Sequence, residues 1–179
     1  MMKVSRRTGL KLAASALGAA MVNASGIRFA YAESKDVLVI GLDMSDMNSF
    51  DPGHQFAYSS PIVMMGAYEP LVTMEPGDYE TVRPSLAKSW ERVDDGQAWQ
   101  FNLREGIQFH TGNSLSAEDV KFTFDRLINL KDNPAELAGN IDRVDVIDPL
   151  TVKIVMKDKD QPLLNLLVGP TFVIADSKA

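Results

Sequence analysis

The sequence predicts a mixed α/β fold, in the α+β sense, and three stretches carry that expectation. Between Trp99 and His110, apolar and polar residues alternate: Trp99, Phe101 and Leu103, then Ile107 and Phe109 beyond Gly106. A period of two belongs to extended chain with one face buried. From Ala117 the period changes, and Val120, Phe124, Leu127 and Ile128 fall on one side of a helix. Alternation then returns at Val152, Ile154 and Met156, after a corner at Asp148–Pro149 that joins two extended runs.

The elements follow in chain order. Asp36–Leu42 (DVLVIGL) is a run of aliphatic residues and reads as a buried strand. Asp43–Ser60 has no lasting period and is rich in Asp, Ser and Asn, which predicts a long connection of the kind that carries function. Ser60 as cap and Pro61 at the first helical position open a helix that Pro70 closes. A strand broken at Pro76–Gly77 comes next, then a hairpin turning at Asp95–Gly96. Ser116 caps the long helix, and Asp119 three residues on completes a variant of the capping box. Lys131–Asn140 reads as a loop or short helix, Pro162 opens a short apolar helix, and Pro170–Ala179 begins another strand.

Composition narrows the class of function. Apolar residues make up 45% of the 179-residue chain and charged residues 23%, which is globular composition. With no cysteine there is no disulfide, thiolate nucleophile or Cys-based zinc site, and two histidines leave little for a metal cage. Residues 1–32 carry five basic residues and no acid, so the net charge of −6 leaves −11 on the remainder. Such an acidic body argues against nucleic acid, whose phosphates require clustered Lys and Arg.

The basic start has the layout of an export signal. Arg6 and Arg7 precede the eleven-residue apolar or small run Leu12–Val22, and Ala30-Tyr31-Ala32 offers a cleavage site after Ala32. A membrane span needs about 20 apolar residues, so this run is too short to be one. Ser5-Arg6-Arg7-Thr8-Gly9-Leu10-Lys11 is similar to the twin-arginine signal, with Gly9 where a phenylalanine is usual. The expectation is a periplasmic protein exported by the twin-arginine route. A general secretory signal is the alternative.

Four stretches together identify a family. YEPLV (Tyr68–Val72), PSLAKSWE (Pro84–Glu91), the unbroken Asp95–Arg126 and IDPLTVKIVM (Ile147–Met156) resemble, in order, the peptide/nickel class of periplasmic substrate-binding proteins that serve ABC importers. The resemblance implies two lobes joined by a hinge, of which this chain would supply part of lobe I. Residues 1–32 would be the signal peptide, 33–47 the first strand of the lobe I core, and 48–168 the extra subdomain of the large peptide-binding class. Residues 169–179 would begin the return into lobe I. It further implies a peptide or other small-molecule ligand, an inner-membrane permease with separate ATPase subunits, and a monomeric receptor without cofactor, metal or catalysis. Oligopeptide, dipeptide, nickel chelate, haem and sugar all remain open as ligand.

Candidate sites divide into two groups. His110, Glu118 and Asp119 are an acid/base or metal grouping on paper, but alternation puts His110 with Gln108 on the wetter face, and both acids suit a helix start. His54 sits in the long connection near Asp51 and reads as a solvent-exposed loop histidine without a second ligand at useful spacing. The resemblance implies that the segment after Asp51–Pro52 passes through the ligand cleft, which makes Gln55, Phe56, Ala57 and Tyr58 the expected contact residues. No acid lies near Phe56, so a peptide amino group has no fixed partner there, and the two rings suit a sequence-tolerant pocket. Packing of both rings in the lobe core is the alternative. Trp90, Trp99, Phe101 and Phe109 read as sheet core rather than as a stacking surface.

Other classes of function have less behind them. An exported hydrolase lacks a Gly-x-Ser-x-Gly elbow and a His-Glu-x-x-His helix here, and the chain has no phosphate-binding Gly-rich loop of the ATPase type. A chaperone-like domain on the same fold is the remaining alternative.

Overall fold

A computed structural model describes residues 38–179. The signal residues Arg6, Arg7 and Ala32 therefore lie outside the described residues. The chain divides into two compact units, Met1–Leu42 and Asp43–Ala179. Of the first, only residues 38–42 are described. They form no strand, and Leu38, Val39, Ile40 and Leu42 are exposed, contrary to the buried strand expected over Asp36–Leu42. An aliphatic run records a preference for burial, but a strand also needs a neighbour to hydrogen-bond with. None of the described strands pairs with these residues.

The second unit is built on a four-stranded antiparallel sheet ordered β3-β4-β6-β5. Its strands are β3 (Ala87–Val93), β4 (Ala98–Leu103), β5 (Ile141–Asp148) and β6 (Thr151–Met156). A small two-stranded ladder precedes it, β1 (Val72–Thr73) with β2 (Arg83–Pro84), joined across the expected Pro76–Gly77 turn. β3 and β4 form the expected hairpin. Asp94, Asp95 and Gly96 hold φ of 53°, 54° and 87°, a left-handed corner that aspartate tolerates and glycine favours.

Register explains the core. Phe101 on β4 stands opposite Trp90 on β3 and Val152 on β6, so the three share one face, and Trp99 stands opposite Ile154. Phe101, Leu103, Val152 and Ile154 are fully buried, while Trp90 and Trp99 pack part-buried against them. Trp90 and Phe101 meet with ring centroids 6.5 Å apart, and the Arg92 guanidinium lies 5.5 Å from the Trp99 centroid. These aromatics are core, as alternation predicts. Ala98 departs from it: although it belongs to the polar register, it is buried beside Val155 of β6.

Helix α1 (Ser60–Ala67) and helix α2 (Ala117–Leu130) close the domain, with a short α3 at Leu164–Leu167. α2 packs across β5 and β6. Val120, Phe124 and Leu127 are buried and Ile128 is partly so, which is the expected stripe. Ser116 is its cap as predicted, donating from both its amide and its hydroxyl to Asp119 Oδ2 at 2.8 Å. α1 starts one residue earlier than expected: Ser59 is the cap, and Ser60 lies inside the helix with its hydroxyl buried and unpartnered.

Pro170–Ala179 is also different from its expectation. A single 3-10 turn, Pro170–Phe172, is followed by one bridge, Val173 to Pro70, and no strand. The reason lies in where its amides bond. Ile174 N donates to Glu69 O at 3.0 Å, Ala175 N to Thr123 Oγ1 at 3.0 Å, and Ser177 N to Asp119 Oδ1 at 3.0 Å. Side chains of α2 have taken the place of a ladder.

Candidate functional site

The connection from Asp43 to Ser59 holds its shape without helix or strand. Short polar side chains bond their own backbone instead: Asp43 Oδ1 accepts from Ser45 N at 3.0 Å, Ser49 Oγ from Asp51 N at 3.0 Å, and Asp51 Oδ1 from Gly53 N at 2.9 Å. Longer reaches then fold the segment on itself. Asn48 Nδ2 donates to His54 O at 2.9 Å, and Asp46 Oδ2 accepts from Tyr58 N at 2.8 Å and Ser59 N at 3.2 Å. The Ser59 hydroxyl also donates to the Asp46 carboxylate. That bond leads a set that holds the Asp46 carboxyl below the usual aspartate range against a small desolvation.

The four expected contact residues lie at the end of this segment, and they do not share one environment. Gln55 is buried, and its Nε2 donates to Ala57 O at 2.6 Å, so it is a buttress under the turn. Phe56 is 62% exposed and Tyr58 is 94% exposed, with Ala57 between them half-buried. Neither ring packs into the core formed by the described residues. The segment presents two aromatic side chains outward on a backbone fixed from beneath.

Three residues of this neighbourhood escaped the sequence: Asp46, Arg126 and Asp132. Arg126 on α2 grips Asp51 bidentately, Nη1 to Oδ1 at 2.7 Å and Nη2 to Oδ2 at 2.5 Å. Burial pushes the Asp51 carboxyl up, but hydrogen bonds from Arg126 and Gly53 and the Arg126 charge outweigh it and leave it below the ordinary value. His54 is not alone in its loop: its Nδ1 lies 2.7 Å from Asp132 Oδ2, a carboxyl held low first by that bond and then by the Asn133 amide. Both side chains are about two-fifths exposed, so the pair is a surface contact. Nothing in their spacing, 75 and 78 residues, signals either contact; only the fold brings them together.

The other candidate group disperses. Asp119 is wholly buried, with Oδ2 bonded to Ser116 and Oδ1 to Ser177 N and Oγ at 3.0 and 2.6 Å. Desolvation raises its pKa, yet the Ser177 and Ser116 hydrogen bonds prevail and keep it ionised below the usual range. Glu118 is exposed. His110 is exposed on the face that alternation assigned to it, and borders a concavity of about 940 Å³ with Glu69, Gln108 and Asp176. The three residues do not converge on a reacting atom. Among the described residues, no three His, Asp or Glu side chains gather in a way that could hold a metal ion.

Comparison with known proteins agrees with this architecture. Residues 81–179, which hold the whole four-stranded sheet and α2, match the family model described as "Bacterial extracellular solute-binding proteins, family 5 Middle". The chain is 33% identical over 154 residues to the probable D,D-dipeptide-binding periplasmic protein of Escherichia coli (strain K12), covering 84% of this chain and 30% of that one. Among solved structures, NikA from Brucella suis, in complex with Fe(III)-EDTA, is 32% identical with a TM-score of 0.62, over 70% of this chain and 25% of that chain. The ABC transporter-associated periplasmic binding protein DppA from Helicobacter pylori, in complex with the peptide STSA, is 26% identical with a TM-score of 0.65, over 74% of this chain and 30% of that chain. The chain spans less than a third of the length of the curated relatives it matches. Since the matched region includes the hairpin, the capped helix and the β5–β6 pair that form the sheet domain, the chain belongs to the bacterial extracellular solute-binding proteins of family 5.

Proposed function

We propose that the protein captures a peptide or similar small solute outside the cytoplasm and hands it to an inner-membrane ABC permease powered by separate ATPase subunits. Gln55–Tyr58 is the ligand-contacting segment. The observation that carries this reading is the pairing of a fixed backbone with exposed rings, Phe56 and Tyr58 above buried Gln55. Large apolar side chains held outward on an ordered loop make contact area available at low entropic cost. With no acid among the four residues, the segment suits shape and stacking contact rather than capture of a fixed charge.

The family consists of binding proteins, and the dispersal of His110, Glu118 and Asp119 supports a receptor that does no chemistry on its solute. Relatives named for periplasmic dipeptide and glutathione binding support the solute class and the compartment. Residues 48–168 serve as the extra subdomain packed beside the lobe I core, and residues 1–32 direct export by the twin-arginine route. Thermal-shift screening of the full-length protein with peptides, nickel chelates and small sugars tests the reading. A solute that binds only the folded state raises the melting temperature. Phe56→Ala and Tyr58→Ala are each expected to weaken that solute about tenfold, on the order of 1.4 kcal/mol. Turnover of any of these compounds, lost in His110→Ala and kept in Tyr58→Ala, would sink the receptor reading.

A further inference from the structure

The segment that presents Phe56 and Tyr58 has no ladder or helix of its own to keep it in place. Two side-chain ties connect it to the C-terminal end of α2. One is the bidentate Asp51–Arg126 pair, with each side chain about one-third exposed. The other is His54–Asp132. They lie three residues apart on the loop, at a compact turn where His54 N and Gln55 N both donate to Asp51 O at 3.0 and 2.8 Å.

Two backbone details show how closely the surfaces fit. A Cβ at Gly53 would lie 2.6 Å from Arg126 Nη1 and 2.7 Å from Leu130 Cδ1, so the loop rests directly on the last turns of α2. Lys131 then ends the helix in the left-handed region, φ 54°. That turn redirects the chain so that Asp132 reaches back to His54 while its other oxygen accepts from Asn133 N at 2.7 Å.

We infer that Arg126 and Asp132 are positioning residues for solute recognition: they set the aim of Phe56 and Tyr58 without touching the solute. The inference rests on the assignment of Gln55–Tyr58 as the contact segment. The geometry makes the dependence physical. His54 immediately precedes Gln55 and Asp51 lies four positions before it, and the segment's far end is held by Asp46, which belongs to the same loop. Among the described residues, only the ties to Arg126 and Asp132 connect the turn to the rigid sheet domain through charged groups. A bidentate guanidinium–carboxylate pair fixes orientation as well as distance, which a lysine in its place does not.

The test is hydrogen exchange on the full-length protein without solute, comparing wild type with Arg126→Gln, Asp132→Ala and Gly53→Ala. Exchange at the amides of His54, Gln55, Tyr58 and Ser59 is expected to rise about tenfold or more in Arg126→Gln. A smaller rise is expected in Asp132→Ala, with β4 and β6 keeping their protection in both. Gly53→Ala reaches the same contact from the loop side and should loosen the same four amides, and Arg126→Lys should restore part of the protection. Unchanged loop exchange in both Arg126→Gln and Asp132→Ala overturns the inference. So does an equal rise in loop and sheet, which would make Arg126 a residue of general stability. Because exchange is read without solute, this result stands apart from the fate of the contact assignment, which Phe56→Ala and Tyr58→Ala decide.

Discussion

Asp119 shows how much one carboxylate can organise. Its two oxygens accept four hydrogen bonds, two from the residue that starts α2 and two from Ser177, 58 positions downstream. It both closes the first turn of the helix and pins the C-terminal stretch. Asp119→Asn keeps the size but turns half of the acceptor into a donor facing Ser hydroxyl or amide hydrogens. With those groups buried, the expected loss is about 1–3 kcal/mol, read as a lower denaturation midpoint with an unchanged slope. The capping role was legible from Ser116-x-x-Asp119; the second pair of bonds was not, because it depends on where the chain returns. The same holds for Arg126. On a helical wheel it is one more charge on the wet side, and its importance comes from a loop that arrives from 75 residues away.

Among the elements, β4 carries the domain, flanked by β3 and β6 and holding Phe101 at the centre of the face that α2 covers. Phe101→Ala removes a ring with no solvent exposure from between Trp90 and Val152. A loss of about 3–5 kcal/mol is expected in equilibrium unfolding, enough to leave the domain marginal. A loss under about 1 kcal/mol would mean the ring faces solvent and the strand register is different. The hairpin, β5–β6 and α2 were all legible, since period and turn chemistry are local properties. Asp36–Leu42 and Pro170–Ala179 were misread for one shared reason. Val37–Leu42 and Phe172–Ala175 are apolar, and apolarity reports a preference for burial but not a pairing partner; whether a ladder forms is decided by the neighbour. In Pro170–Ala179 the neighbour proved to be Thr123 and Asp119 on a helix. The proposal of Gln55–Tyr58 as contact segment rests on family likeness, while the division of the segment into a buried buttress and two exposed rings came from the fold.

For the whole molecule, the acidic balance has a direction. Asp46, Asp51, Asp119 and Asp132 all have carboxyls held below their ordinary value of 3.8 in the fold. Each folded group therefore gives up its proton more readily than the unfolded one, and the stability this confers is complete above that value. It is lost as pH falls through 3.8 toward the lowered folded values. Melting temperature is expected to be level from neutral pH to about 5 and to drop steeply below about 4. In Asp119→Asn that drop should be shallower, since one contributing group is gone. The loop's attachment to α2 has a different consequence, in the order of assembly. The β3–β4 hairpin joins near neighbours, whereas Asp51 and Arg126 are 75 residues apart in the chain. Contacts between residues so distant in the chain cost the most closure entropy and come late. The segment proposed to meet the solute is thus expected to take shape late in folding, and newly folded molecules should regain their sheet before they regain their grip.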